Sequence, residues 1–327
     1  MLCFKIITLL IKKFEIFSNN YFFSALKREK YSANINSSPD IKSFSDRISI
    51  VMQGPIIEKN DFTLETLKLY KKRYPNISII LSTWDNYEKD LISKFTKIGI
   101  EVILNSMPDY FGISNVNLQI KSTKSGILKA RQAGCQYCLK TRTDQRVYKH
   151  DFILFFLSIL ASFKINHKYL KERLITRSMN TFKYRLYGVT DMLMFGNIDD
   201  MILYWDAELD NRKLNEVDEG ISALDFSKAR LCEVYLSTEF FKKIKFEVDF
   251  TLKNYWQSMA AFFFVVDANS IDIFWFKYNR WNERRRYQNK TRKLDEEFYF
   301  SDWLNSHNNL SHYTPDGAIK INKENMI

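Results

Sequence analysis

"CLKTRTDQRVY", residues 138–148, begins as a buried strand, with Cys138 and Leu139, and then sets Lys140, Arg142 and Asp144 on alternate residues. Side chains of a strand alternate faces, so the three share one side if the strand extends that far. A core strand has no use for three charges on one side. They are tolerated only where the strand leaves the sheet. The stretch therefore predicts a strand whose carboxyl end opens on a ligand crevice.

Upstream, "ISIVMQGPI" (48–56) is an apolar run closed by Gly54 and Pro55, and "ISIILSTW" (77–84) and "IEVIL" (100–104) are two more such runs. Amphipathic segments separate them. In "FTLETLKLYKKRY", capped by Asp61, the apolar positions are Phe62, Leu64, Leu67 and Tyr74. "NYEKDLISKFTKIG" turns Leu91, Ile92 and Phe95 inward and ends at Gly99, and a helix from about Asn115 to Ala133 carries Val116, Ile120, Ile127 and Ala130 before Gly134. The fourth strand reads as "CQYCLKTRTD". Strand and helix alternate three times with short joins, which predicts an open, mostly parallel α/β sheet with helices on both faces. Its carboxyl ends are Gln53-Gly54-Pro55, Thr83-Trp84-Asp85, Asn105 and Lys140 to Asp144.

The rhythm then breaks. "DFILFFLSILASF" (151–163) is too short to span a bilayer and reads as a buried helix. "VTDMLMFGN" (189–197) reads as a strand and "EVYLSTEFFKKI" (233–244) as a helix, with partly strand-like apolar sequence after residue 258.

Lys plus Arg number 49 against 38 Asp plus Glu, a formal charge of +11, which favours anionic partners. Cys3, Cys135, Cys138 and Cys232 form no secreted disulfide framework. The CxxC at Cys135 and Cys138 lacks a second ligand pair and reads as core. No GxGxxG follows the first strand, and GxxxxGK[ST], GxSxG and HExxH are absent, so dinucleotide-cofactor, P-loop, α/β-hydrolase and zincin chemistries have no support. "MLCFKIITLLIKKF" is apolar, carries Lys5, Lys12 and Lys13, and is too short to span. It suits a helix lying on an anionic membrane surface, and equally a helix packed on the domain.

A carboxylate after the fourth strand, flanked by Thr141, Arg142, Thr143, Gln145 and Arg146, suits a hard cation bridging a diphosphate, and a lone Asp there also serves as a loop cap.

"ISIVMQGPI", "LSTWD", "NVNLQIKSTKSGILKA", "CLKTRTDQRVY" and "VTDMLMFG", in this order and spacing, resemble the WavE lipopolysaccharide synthesis family over roughly residues 47–300. The resemblance implies a GT-A-like glycosyltransferase fold. The expected organisation is an amphipathic segment at 1–30, a linker at 31–46, a nucleotide-sugar-binding half at 47–150 and an acceptor half at 151–327. Gln53, Gly54, Pro55, Thr83, Asp85, Asn117, Gln119, Lys140, Arg142 and Asp144 would border the donor. A DXD-type motif would hold Mn²⁺ or Mg²⁺, here through Asp144. This chain departs from that motif: Arg142 stands where the first Asp would be. Arg142 and Lys140 could neutralise the diphosphate themselves.

An inverting transferase needs a carboxylate to take the acceptor's proton, and Asp191 and Glu233 are the candidates, each also explicable as a cap or salt-bridge partner. "WFKYNRWNERRRYQNKTRK" (275–293), with Lys277, Arg280, Arg284, Arg285 and Arg286, suits an anionic glycan or glycolipid acceptor, lipid headgroups, nucleic acid or a solvated face. Nucleic acid ranks last, because the catalytic type of sheet explains the fold without it. These features predict transfer from a nucleotide sugar to a cell-surface glycan precursor at the cytoplasmic face of the inner membrane. The enzymatic rival is a nucleotidyltransferase, against which the single Gly of "MQGPIIEKND" counts. The other rival is a non-enzymatic basic protein of the membrane periphery.

Overall fold

The structure, a computed structural model, describes residues 2–18, 28–34, 47–213, 221–277 and 296–308. The four expected strands form at Ile48–Gln53 (β1), Ser78–Trp84 (β2), Glu101–Asn105 (β3) and Tyr137–Arg142 (β4). Between them lie α2 (Phe62–Arg73), α3 (Lys89–Thr96) and α4 (Val116–Gln132), after an N-terminal α1 (Leu2–Ser18). Val116, Ile120, Ile127 and Ala130 are all buried, as the 3.6-residue period requires. Gly99 and Gly134 adopt the left-handed φ of +75° and +81° that lets the chain turn out of α3 and α4.

The chain continues as β5 (Gln145–Val147), α5 (Phe152–Ser162), β6 (Leu174–Arg177), β7 (Met194–Asn197), α6 (Ile198–Trp205), α7 (Ala223–Arg230), α8 (Cys232–Lys243), α9 (Leu252–Phe262), β8 (Phe263–Val266), β9 (Ile273–Trp275) and α10 (Phe300–Asn308). The main sheet has the order β3-β2-β1-β4-β7-β6-β8. β7 runs antiparallel to both of its neighbours, and the other pairs are parallel. This is the open, mostly parallel α/β sheet that the GT-A-like expectation calls for. One face carries α4, α6 and α8, and the other α2, α5 and α10. α4 lies close because it presents Gly126 to β1, where a Cβ would fall 2.3 Å from Val51 Cγ1.

Four local readings are corrected. The fourth strand ends at Arg142, so Asp144 sits in the turn before β5 rather than on the strand face of Lys140 and Arg142. In 189–197 only Met194–Asn197 is strand, and the residues before it form an irregular loop held by side chains. α5 buries Phe152, Ile153, Phe156, Ile159 and Leu160 but leaves Leu154 and Phe155 exposed, because only one stripe of a helix meets a sheet. Asp61 holds the N-cap position of α2 with a left-handed φ of 48° and makes no side-chain cap bond.

Residues 28–34 dock on the domain through Glu65, which accepts from Ser32 N and Oγ, and through Arg146, which reaches Lys30 O. Residues 35–46 and most of the basic stretch, with Arg280, Arg284, Arg285 and Arg286, lie outside the described residues.

Candidate functional site

The antiparallel β7 builds the site. It pairs Met194 with Lys140, and continuing that register two residues sets Met192 opposite Arg142. The loop entering β7 therefore passes the carboxyl end of β4 and delivers Asp191 there. Lys140 is fully buried, its Nζ donates to the Asp191 carbonyl, and it lies 4.5 Å from the centre of the Trp205 ring. Burial drives the Lys140 pKa down to about 7, although Asp191 opposes the fall.

Arg142 and Asp144 form a two-pronged pair, Nε to Oδ1 and Nη2 to Oδ2, both at 2.9 Å. Trp275 Nε1 also donates to Asp144 Oδ2 at 2.9 Å, and Phe276 N donates to the Asp144 carbonyl at 2.8 Å. Burial alone would raise the Asp144 pKa. Arg142, Trp275 and Lys277 outweigh it and hold the carboxyl below its ordinary value.

α8 brings Cys232 and Glu233 to the same place. Cys232 Sγ lies 3.2 Å from Glu233 Oε2, and Gln119 Nε2 on α4 lies 3.8 Å from that sulfur. Burial raises the Glu233 pKa, and the Asp191 charge raises it further, while Arg185 opposes both. Four buried polar atoms here have no partner among the described residues: Gln119 Oε1, Asp191 Oδ2, Tyr204 Oη and Trp205 Nε1. Orphaned donors and acceptors are rare in cores and mark places where water or a ligand is accommodated.

Of the residues expected from sequence, Gln119, Lys140, Arg142, Asp144, Asp191, Glu233 and Lys277 gather at this edge. Gln53 pairs with Arg142 across β1 and β4, and its Oε1 accepts from Ser122 Oγ. Gly54 follows at φ +120°, where a Cβ would stand 3.0 Å from Thr143 Oγ1. Pro55 and Asp85 are exposed at the same edge, and Thr83 is buried with its Oγ1 unpartnered among the described residues. Asn117 is spent internally: its amide bonds Asp210 N, Asp210 O and Tyr110 O. Arg185, Tyr204 and Trp205 went unnoticed in the sequence, and Cys232 and Trp275 were noted there without a role at this site, because nothing in their spacing sets them apart from core residues.

A divalent ion on Asp144 fits this donor set poorly. Both carboxylate oxygens are already taken by Arg142, one of them also by Trp275, and a metal would have to displace a guanidinium. No group of three or more His, Cys, Asp or Glu side chains among the described residues could hold a metal.

The WavE lipopolysaccharide synthesis family model matches residues 48–323. The chain belongs to that family. No curated protein matches it. Among solved structures, the WavE chain is similar to a cytidylyltransferase from Leptospira borgpetersenii serovar Hardjo-bovis at 11% identity and a TM-score of 0.30, covering 51% of this chain and 66% of that one. A putative glucose-1-phosphate thymidylyltransferase from Bacillus anthracis matches at 8% identity and a TM-score of 0.30, covering 50% and 75%. A mannose-1-phosphate geranyltransferase from Thermus thermophilus matches at 13% identity and a TM-score of 0.25, covering 42% and 44%. No helix among the described residues of the WavE protein is long and apolar enough to cross a membrane.

Proposed function

We propose that this WavE protein is a glycosyltransferase that moves a sugar from a nucleotide sugar to a lipopolysaccharide or other cell-surface glycan precursor. One observation carries the reading: Asp191 and Glu233, distant in sequence, meet at the carboxyl end of β4 beside Lys140, Arg142 and Asp144. Glu233 serves as the base. It is half-buried, so an acceptor can reach it, and its raised pKa improves proton transfer near neutral pH. Burial raises that pKa first, and the Asp191 charge raises it further. The Glu233 carboxylate takes the proton of the acceptor hydroxyl, and the oxygen bonds to the anomeric carbon. The bond from that carbon to the phosphate oxygen breaks, with its electron pair leaving on the nucleoside diphosphate. The positive groups at the β4 end stabilise that charge.

The acceptor is lipid-linked in this reading, and α1 holds the enzyme at the cytoplasmic face of the inner membrane. Ile6, Ile7, Leu9, Leu10, Ile16 and Phe17 of α1 are exposed, with Lys5, Lys12 and Lys13 in the same helix.

The test is a panel of nucleotide sugars incubated with the purified full chain and lipopolysaccharide precursors, with glycosylated product read by mass spectrometry. Product from one sugar donor supports the reading. Release of pyrophosphate from a nucleoside triphosphate and a sugar phosphate, without glycosylation, would make the protein a nucleotidyltransferase. Deleting residues 2–18 should move the protein from membrane vesicles to the supernatant while nucleotide binding persists. Retention on vesicles after the deletion contradicts the role of α1.

A further inference from the structure

The pair at the end of β4 raises a question of charge. A carboxylate placed to bind a cation should present its oxygens to the crevice. Asp144 instead spends both on Arg142, and Trp275 holds one of them from β9. Its side chain is 8% exposed while that of Arg142 is 21% exposed, so the guanidinium is the member of the pair that reaches outward.

Arg142 has donors left for a ligand. A guanidinium carries five N–H groups in a planar fork, and the bonds to Asp144 use two. Asp144 fixes the plane of that fork, and the Phe276 N bond to the Asp144 carbonyl fixes Asp144. Lys277 follows on the same strand end, close enough to lower the Asp144 pKa. Lys140, two residues back on β4, is buried with its Nζ on the Asp191 carbonyl, and an anion bound at Arg142 would favour its charged form. Gly54, next to the Gln53 that pairs with Arg142, lets the turn after β1 lie close to Thr143 beside this pair.

We infer that Arg142, aimed by Asp144 and joined by Lys277, is a metal-independent binding site for the two phosphates of a nucleoside diphosphate. The inference rests on the transferase reading above and gives the role of the Mn²⁺ or Mg²⁺ expected from the resemblance to Arg142. A planar fork matches two phosphate oxygens at once, so the guanidinium supplies both the charge and the orientation that a bridging metal would supply. Asp144 is a positioning residue: it touches Arg142, not the ligand.

Calorimetric titration of the full chain with UDP, GDP, CDP and dTDP, in EDTA and then in MnCl₂, tests this. At least one diphosphate should bind in EDTA, with affinity changed by less than about threefold on adding Mn²⁺. Arg142→Gln should weaken that binding by about ten- to a hundredfold, the range of a charge-assisted bond. Asp144→Asn should weaken it less, and Arg142→Lys should not restore it, because an ammonium lacks the fork. Binding that needs Mn²⁺, or a Mn²⁺ response abolished by Asp144→Asn, overturns the inference and leaves the transferase reading standing. Failure of all four diphosphates to bind in either condition overturns both. Should a variant not fold, as read by circular dichroism, the wild-type comparison in EDTA still decides.

Discussion

Arg142 and Arg146 stand four residues apart on either side of one turn, and both are largely withdrawn from solvent. Their surroundings differ in kind. Arg146 is spent on the protein itself: Nε donates to Thr66 Oγ1, Nη1 to the carbonyls of Lys30 and Glu29 and to Tyr148 Oη, and Nη2 to the carbonyl of Phe62. It ties β5, α2 and the segment 28–34 together, lying 4.6 Å from the Phe62 ring centre. Arg142 is held by a single carboxylate and keeps part of its fork unspent. A buried arginine that satisfies main-chain carbonyls is a staple. One that is oriented by an acid at the ligand edge of a parallel sheet is equipped to receive an anion.

The contrast is sharpest if each region is damaged separately. Glu233→Gln keeps the size of the side chain and removes the base. Transfer should fall by a factor on the order of 10² to 10⁴, while the thermal midpoint and donor binding stay near wild type. Asp191→Asn removes the charge that raises Glu233, so the acid limb of the pH–rate profile should move to lower pH. An acid limb that does not move separates Asp191 from the base.

Arg146→Met should do the reverse. It removes the donors that join Thr66 Oγ1 and the carbonyls of Lys30 and Phe62, for a stability loss of about 3 kcal/mol, with activity per folded molecule unchanged. Chemical denaturation alongside the product assay reads both quantities. A stable but inactive Arg146→Met protein would erase the distinction between staple and site.

Lys140 gives a smaller, pH-dependent effect. Its pKa falls from 10.5 in an ordinary setting to about 7 in the fold, so between those values the unfolded chain holds a proton that the folded chain lacks. Stability should therefore rise with pH across that window. Lys140→Met should flatten that rise, as measured by urea midpoints at neutral and alkaline pH. A slope that survives the substitution assigns it to other groups.

Much of the first half was legible because it obeys local periodicity. The apolar runs that form β1 to β4 and the stripe Val116, Ile120, Ile127 and Ala130 depend only on residues close in sequence, and each appears within a few residues of its expected place. The crevice at the carboxyl ends followed from the parallel order alone. Local signals also misled. Asp61 stands at the right place for a cap without making its bond, and "VTDMLMFGN" suggested a longer strand than Met194–Asn197.

By itself, the sequence determined the α/β alternation, the family motifs and the identity of the charged groups that leave the sheet at β4. Only the tertiary structure decided which of those groups meet. Insertion of β7 antiparallel between β4 and β6 sets Asp191 against Lys140, α8 brings Glu233 beside it, and β9 carries Trp275 to Asp144. These contacts join residues about 40 to 130 positions apart. Strand order and register are settled by packing the whole sheet against its helices, and no local pattern encodes them.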